Sequence, residues 1–200
     1  MLTSGDAVVN AVTGERILVR VTAAESGGER FEIERFVPPD APPYPEHLHP
    51  HQESALTVIK GVCALRLGGD VRVAVPGDRL VVAPGVLHQV WNAGGDTLHM
   101  RIEKRPALES SERLLVAMCD LAAAGQTDAR GMPSLLQQAV MIPAYADAVR
   151  LVSPPWAVQR ALCAVLGPVA RAGGYRPLPA RSGSARMTEA VLDDRTRLAG

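Results

Sequence analysis

The sequence predicts a mainly β protein followed by a helical segment. Two observations carry this. Up to Pro106, short β-rich runs alternate with turn signals, and beyond Pro106 the apolar residues recur at helical spacing. Many short strands set close together mean an all-β sandwich or small barrel.

Taken in order, residues 6–12 and 15–21 flank Thr13-Gly14 and read as a hairpin. Residues 30–37 alternate, with Phe31 and Ile33 against Glu32 and Glu34, as a half-buried strand does. The run from Pro38 to Pro45 holds five prolines and cannot be a central strand, because each proline lacks an amide donor. It reads as a stiff extended loop. Strands are then expected over 54–60, 62–67, 71–75, 80–83, 89–91 and 97–103. Gly61, Gly68-Gly69-Asp70, Pro76-Gly77-Asp78, Pro84-Gly85 and Gly94-Gly95-Asp96 punctuate them.

Beyond Pro106, three helices are expected. The first, 111–124, has Ser111 as its cap and Leu114, Leu115, Met118 and Leu121 on one stripe, and Gly125 stops it. The second, 133–152, carries Leu135, Leu136, Ala139, Val140 and Ile142, with Pro143 placed to kink or split it. The third, 155–172, opens on a proline and ends at Gly173-Gly174. No single stripe buries itself, so the helices should pack on one another, on the barrel or across a dimer. From about Pro177 the chain is rich in Arg, Gly and Ser. A short helix over 187–198 is conceivable there, but a flexible tail is expected.

Composition narrows the function classes. The chain is 200 residues long and 47% hydrophobic, enough for a substantial core. Its 21 basic and 21 acidic residues cancel, so no global field recruits nucleic acid or an anionic membrane. Cys63, Cys119 and Cys163 are odd in number and widely spaced, which reads as buried free thiols in a reducing cytoplasm. No secretory signal is expected at the N-terminus, and residues 156–170 are too short and interrupted to span a bilayer.

The chemistry concentrates in His47-Leu48-His49-Pro50-His51-Gln52-Glu53, answered by Pro84-Gly85-Val86-Leu87-His88. Histidines two apart share one face of a strand. A third, delivered from another strand after a Pro-Gly turn, can complete a facial set around one divalent metal. No nucleophile elbow, phosphate loop or dinucleotide fingerprint accompanies them.

These residues resemble the two motifs of the cupin family. The first is an HxH with a following Glu and Gly, read here from His47 to Ser54 and closing at Gly61. The second is a G…PxG…H…N, read here as Gly77, Pro84, Gly85, His88 and Asn92. The resemblance covers roughly residues 30 to 105 and implies a cupin-type jelly-roll barrel. The helical half, with Lys104-Arg105-Pro106, Gly125-Gln126-Thr127 and Pro154-Pro155-Trp156, resembles the helical extension of a subset of bacterial single-domain cupins. The expected organisation is therefore a barrel over 1–105, a helical extension over 106–176 and a tail over 177–200.

The resemblance makes His47, His49 and His88 the metal ligands. It also exposes a departure: the family's Glu stands seven positions before the residue that is here Gly61, and that position is Ser54. Glu53 is one residue early, and a slip of one flips the face of a strand. A bulge at 50–52 could turn Glu53 inward, but a three-histidine site completed by water or substrate is favoured. Glu53, Ser54, His51 and Gln52 are candidates for a fourth ligand or for support of the site. His51 reads as a surface loop residue, His99 as facing solvent and Asn92 as tying the turn after His88. Gln52 and Trp91 are as compatible with core or rim as with the cavity. Cys63 reads as a small buried hydrophobe.

The function implied is that of a metal-dependent cupin enzyme acting on a small organic molecule. A dioxygenase or oxygenase is the leading form, because open metal positions can take substrate and oxygen together. The alternatives are a non-redox cyclase, isomerase or lyase, and a ligand-binding cupin without turnover. Fe(II) is the favoured ion, with Mn, Ni, Cu or Zn as others that imidazole accepts. A cytoplasmic homodimer is expected. The helical stripes are expected to serve packing and not substrate binding.

Overall fold

The computed structural model describes residues 2–177 and 186–188. Two antiparallel sheets face each other. The first holds β1 (Asp6–Val9), β2 (Arg16–Val21), β3 (Phe31–Val37), β5 (Glu53–Lys60), β8 (Arg79–Val82), β10 (Leu98–Arg105) and β12 (Arg186–Thr188), in the order β12-β1-β2-β3-β10-β5-β8. The second holds β4 (His47–Leu48), β6 (Cys63–Leu67), β7 (Asp70–Ala74), β9 (His88–Asn92) and β11 (Arg150–Leu151), in the order β11-β4-β9-β6-β7. The chain passes repeatedly between the sheets, which is the jelly-roll arrangement.

The core follows from strand alternation. On β10, Leu98, Met100 and Ile102 point inward and are buried. They meet Ile33 and Phe31 of β3, Leu56 and Val58 of β5, and Leu65 of β6. Each such side chain contributes about 1.5–3 kcal/mol by leaving water. Gly61, between β5 and β6, has φ +86°, and a Cβ there would lie 3.0 Å from the Leu98 Cα. Only glycine fits that crossing.

The helices are α1 (Glu109–Ala123), α2 (Leu135–Ala144) and α3 (Trp156–Ala172). They share a second core of Ala117, Leu121, Val140, Met141, Tyr145 and Ala170. Ser111 does not cap α1. The N-cap is Leu108, without a side-chain hydrogen bond, and the Ser111 hydroxyl instead donates to Gln52 Oε1 at 2.6 Å. The second expected helix is shorter than its pattern, ending at Ala144 just past Pro143, and Arg150 and Leu151 become β11. Two strands thus come from beyond the β-rich half: β11 extends the second sheet and β12 pairs with β1. Residues 187–188 are strand and not helix. The rest of the expected tail, beyond Pro177, lies outside the described residues.

Candidate metal centre and chamber

β4 and β9 are adjacent in the second sheet, with His47 directly opposite His88. His49 follows β4 by one residue and is tethered through its carbonyl to the Gly85 amide, 2.8 Å away. The ladder therefore brings the three imidazoles together, with ring centroids 4.4 Å (His47–His88) and 5.2 Å (His47–His49 and His49–His88) apart. One nitrogen from each lies within 4.8 Å of the others.

Each ring is fixed by its other nitrogen. The Nδ1 of His47 donates to the Pro45 carbonyl at 2.8 Å, that of His49 to Ala148 at 2.7 Å, and that of His88 to Val86 at 3.0 Å. A carbonyl only accepts, so every Nδ1 carries the proton and every Nε2 keeps its lone pair. Metal-binding histidines are oriented in this way, by a carbonyl or carboxylate behind the ligating ring.

Burial holds the rings neutral. It lowers His47 to about 3, with the neighbouring His88 adding to the effect, and His49 to about 2, with the Lys104 charge adding. His88 is lowered as well, again chiefly by burial. Three neutral imidazoles with free Nε2 atoms on one centre fit a divalent ion.

The histidines open into a chamber of about 260 Å³ between barrel and helices. Ile17, Phe31, Ile33, Leu56, Val90 and Ile102 form its barrel wall. Leu114, Leu115 and Met118 of α1, Met141 and Ile142 of α2, and Trp156 of α3 form its lid. The stripes read from the sequence as packing thus also line the cavity. The lid is bound to the histidine strand itself: Arg150 and Leu151 pair with Leu48 and His47, and the Val152 amide donates to the Glu46 carbonyl at 3.3 Å.

Strand phase decides the fourth position. On β5, Ser54, Leu56 and Val58 are buried while Glu53 is exposed, so no bulge turns Glu53 to the histidines. Ser54 lines the chamber, and its hydroxyl is buried without a hydrogen-bond partner. His51 is exposed in the loop. Gln52 is fully buried but not in the chamber; it donates to the Pro106 carbonyl at 2.8 Å and accepts from Ser111. Asn92 bonds the Val37 and Asp96 carbonyls and the Gly94 amide, tying the turn after β9. His99 is not simply solvent-facing: it stacks on Phe36 at 4.2 Å and bonds Glu34 at 2.9 Å.

Several polar chamber residues carried no signal in the motifs, among them Glu15, Arg35, Tyr44 and Lys104. Glu15 and Arg35 form a buried ion pair, with the Arg35 guanidinium 5.8 Å from the Tyr44 ring centre. Lys104 is on the inward phase of β10, two residues beyond Ile102, and extending that alternation would have found it. Burial, aided by the Arg35 charge, lowers its ammonium to about 8.

A two-sheet β barrel enclosing three convergent histidines defines a class of β protein with a metal-competent interior. Residues 35–102, which include all three histidines, match the family model of the Cupin domain, and this stretch of the chain is a cupin domain. A comparison with curated proteins gave no match. Among solved structures, KdgF from a Halomonas species is similar at 18% identity and TM-score 0.42, covering 48% of this chain and 82% of that one. An RmlC-like cupin from Shewanella frigidimarina is similar at 18% identity and TM-score 0.42, covering 51% and 85%. A conserved protein with a double-stranded β-helix domain from Klebsiella pneumoniae is similar at 20% identity and TM-score 0.41, covering 54% and 83%. Among the described residues, no helix is long and apolar enough to cross a membrane.

Proposed function

We propose that this cupin is a metal-dependent enzyme that transforms a small organic molecule in the chamber, with oxygenation as the leading reaction. The observation that carries the reading is the shared orientation of His47, His49 and His88, each Nδ1 spent on a backbone carbonyl and each Nε2 left free. A divalent ion there, with Fe(II) favoured, supplies Lewis acidity and, for iron, a site for dioxygen. The protein's own residues do the rest. The apolar walls hold the substrate body, and α1, α2 and the 145–151 segment cover it.

A second reading is favoured by one observation: the inward position beside the histidines is Ser54 and not a carboxylate. A centre with only neutral ligands keeps more of its positive charge, which suits carbonyl polarisation in a cyclase, isomerase or lyase. The free buried thiols of Cys63, Cys119 and Cys163 support a reducing cytoplasmic setting. A homodimer is supported by exposed Val158, Leu162, Val165 and Val169 on α3, whose four-three-four spacing is that of a helix seam. Light scattering at the mass of two chains is the result expected.

The test of function is elemental analysis of purified protein, then anaerobic reconstitution with Fe(II) and oxygen-electrode measurements across candidate substrates. One ion per chain, lost in His49→Ala, is expected. Turnover without oxygen uptake would select the non-redox reading, and no ion after reconstitution would end both.

A further inference from the structure

The charges inside the chamber do not balance. Three cations line it, Arg35, Lys104 and Arg150, against one carboxylate, Glu15. Glu15 is committed to Arg35. Arg150 lies over Trp156, 4.8 Å from the ring centre, and donates to the Ala146 carbonyl at 3.1 Å. Lys104 has neither an ion pair nor a hydrogen bond among the described residues.

The second observation is independent of charge. Lys104 and Ser54 are directly opposite in the β10–β5 ladder, both on the inward face. Directly opposed side chains stand about 4.5–5.5 Å apart at Cβ, so both can reach one small group. The Ser54 hydroxyl is buried with no partner. A buried hydroxyl without a partner is costly, and a half-buried ammonium facing an apolar chamber has lost part of its hydration. One ligand oxygen pair would satisfy both: an ammonium and a hydroxyl donate, and a carboxylate accepts twice.

We propose that the chamber takes a small apolar carboxylic acid, with Lys104 Nζ and Ser54 Oγ holding its carboxylate and the lid side chains packing on its body. The inference rests on the chamber being the substrate site of the function proposed above, and it names the substrate class. It also gives the missing fourth-ligand charge a physical meaning. Where a protein carboxylate would neutralise Lys104 permanently, serine leaves that cation for the substrate, which arrives carrying the negative charge the centre lacks. A phosphate dianion fits less well, because one ammonium and one hydroxyl leave most of its oxygens unsatisfied in an apolar cavity.

The test is isothermal titration calorimetry on metal-free protein, using the linear alkanoates from butanoate to decanoate and the primary amides of matching length. At least one acid should bind about tenfold or more tightly than its amide, the scale of one charge-assisted hydrogen-bond pair. Lys104→Met should erase that preference, Lys104→Arg should keep it, and Ser54→Ala should reduce it several-fold. Lys104→Met removes an unpaired, half-buried cation while preserving its stem, so its melting temperature should not fall. Acids binding no better than amides, no binding by any acid, or a preference surviving in Lys104→Met would each overturn the proposal. So would inorganic phosphate displacing the best acid at equal concentration. Metal content of the same variants after anaerobic reconstitution with Fe(II) separates the two readings. Loss of the ion with acid preference intact defeats the metal centre, and the converse defeats the carboxylate site.

Discussion

His49 donates its Nδ1 proton to the carbonyl of Ala148 across 99 positions of chain, at 2.7 Å. The donor follows a barrel strand and the acceptor lies between α2 and β11. The helical half therefore orients one of the three central imidazoles as well as covering them. Because β11 also pairs with the strand that carries His47, docking of the 145–152 segment and preorganisation of the centre are one structural event. Val152→Pro, which removes the amide that donates to the Glu46 carbonyl, should loosen the segment and release His49. Metal affinity, measured by competition with a chromophoric chelator, should fall by about 10- to 100-fold, the usual effect of losing support behind a ligand. Far-UV circular dichroism should retain the β signal. Unchanged affinity would mean that the lid only covers the site.

Ser54→Glu places a carboxylate on the inward face of β5, while Glu53 stays outside. Metal affinity should rise by about tenfold or more, since an anionic oxygen joins three neutral nitrogens. Glu53→Gln should leave affinity unaltered. The same chelator competition measures both, and an effect of Glu53→Gln would place that side chain differently from its exposed position.

How much of this was legible in the sequence depends on the kind of signal. Alternation along residues 54–58 ties Ser54 to the face of Leu56 and Val58, but a bulge over 50–52 that would bring Glu53 inward was equally compatible with the sequence. The spacing of His47, His49 and His88 was legible, because short ladders preserve facing. The 148–152 segment was not. Its periodicity reads as continued helix, and only Pro143 hinted at a break. Contacts such as His49–Ala148 use a backbone carbonyl, which has no residue-type signature. Lys104 was missed for another reason: a lysine at a strand end reads as solvated unless the alternation is extended through it.

Glu34 is a site of acid sensitivity on the outer face of the first sheet. Burial alone would raise its pKa, but hydrogen bonds from Arg20 at 3.1 Å, His99 at 2.9 Å and Arg101 at 3.3 Å outweigh it and hold the carboxyl below 4.5. A group depressed on folding contributes stability above its unfolded pKa and loses it as pH falls through the folded value. Melting temperature should therefore decline below about pH 4.5. In Glu34→Gln the decline should be shallower, and at pH 7 the variant should be less stable by about 1–3 kcal/mol. An acid limb of equal steepness in the two proteins would remove Glu34 as the cause.

Gln52 separates structural from functional roles within the histidine motif. Its amide is fully buried, donating from Nε2 to Pro106 and accepting at Oε1 from Ser111, so one side chain joins the start of β5 to the chain entering α1. Gln52→Leu keeps the volume but leaves the Ser111 hydroxyl and the Pro106 carbonyl unpaired. The expected cost is about 1–3 kcal/mol per unsatisfied group, read as a lower denaturant midpoint with an unchanged slope. Gln52 does not line the chamber, so metal stoichiometry and acid-over-amide preference should both match those of the natural chain. A variant of normal stability that lost its metal would reverse the assignment and make Gln52 part of the centre. The pairing of reduced stability with intact binding is what a tie between barrel and lid requires.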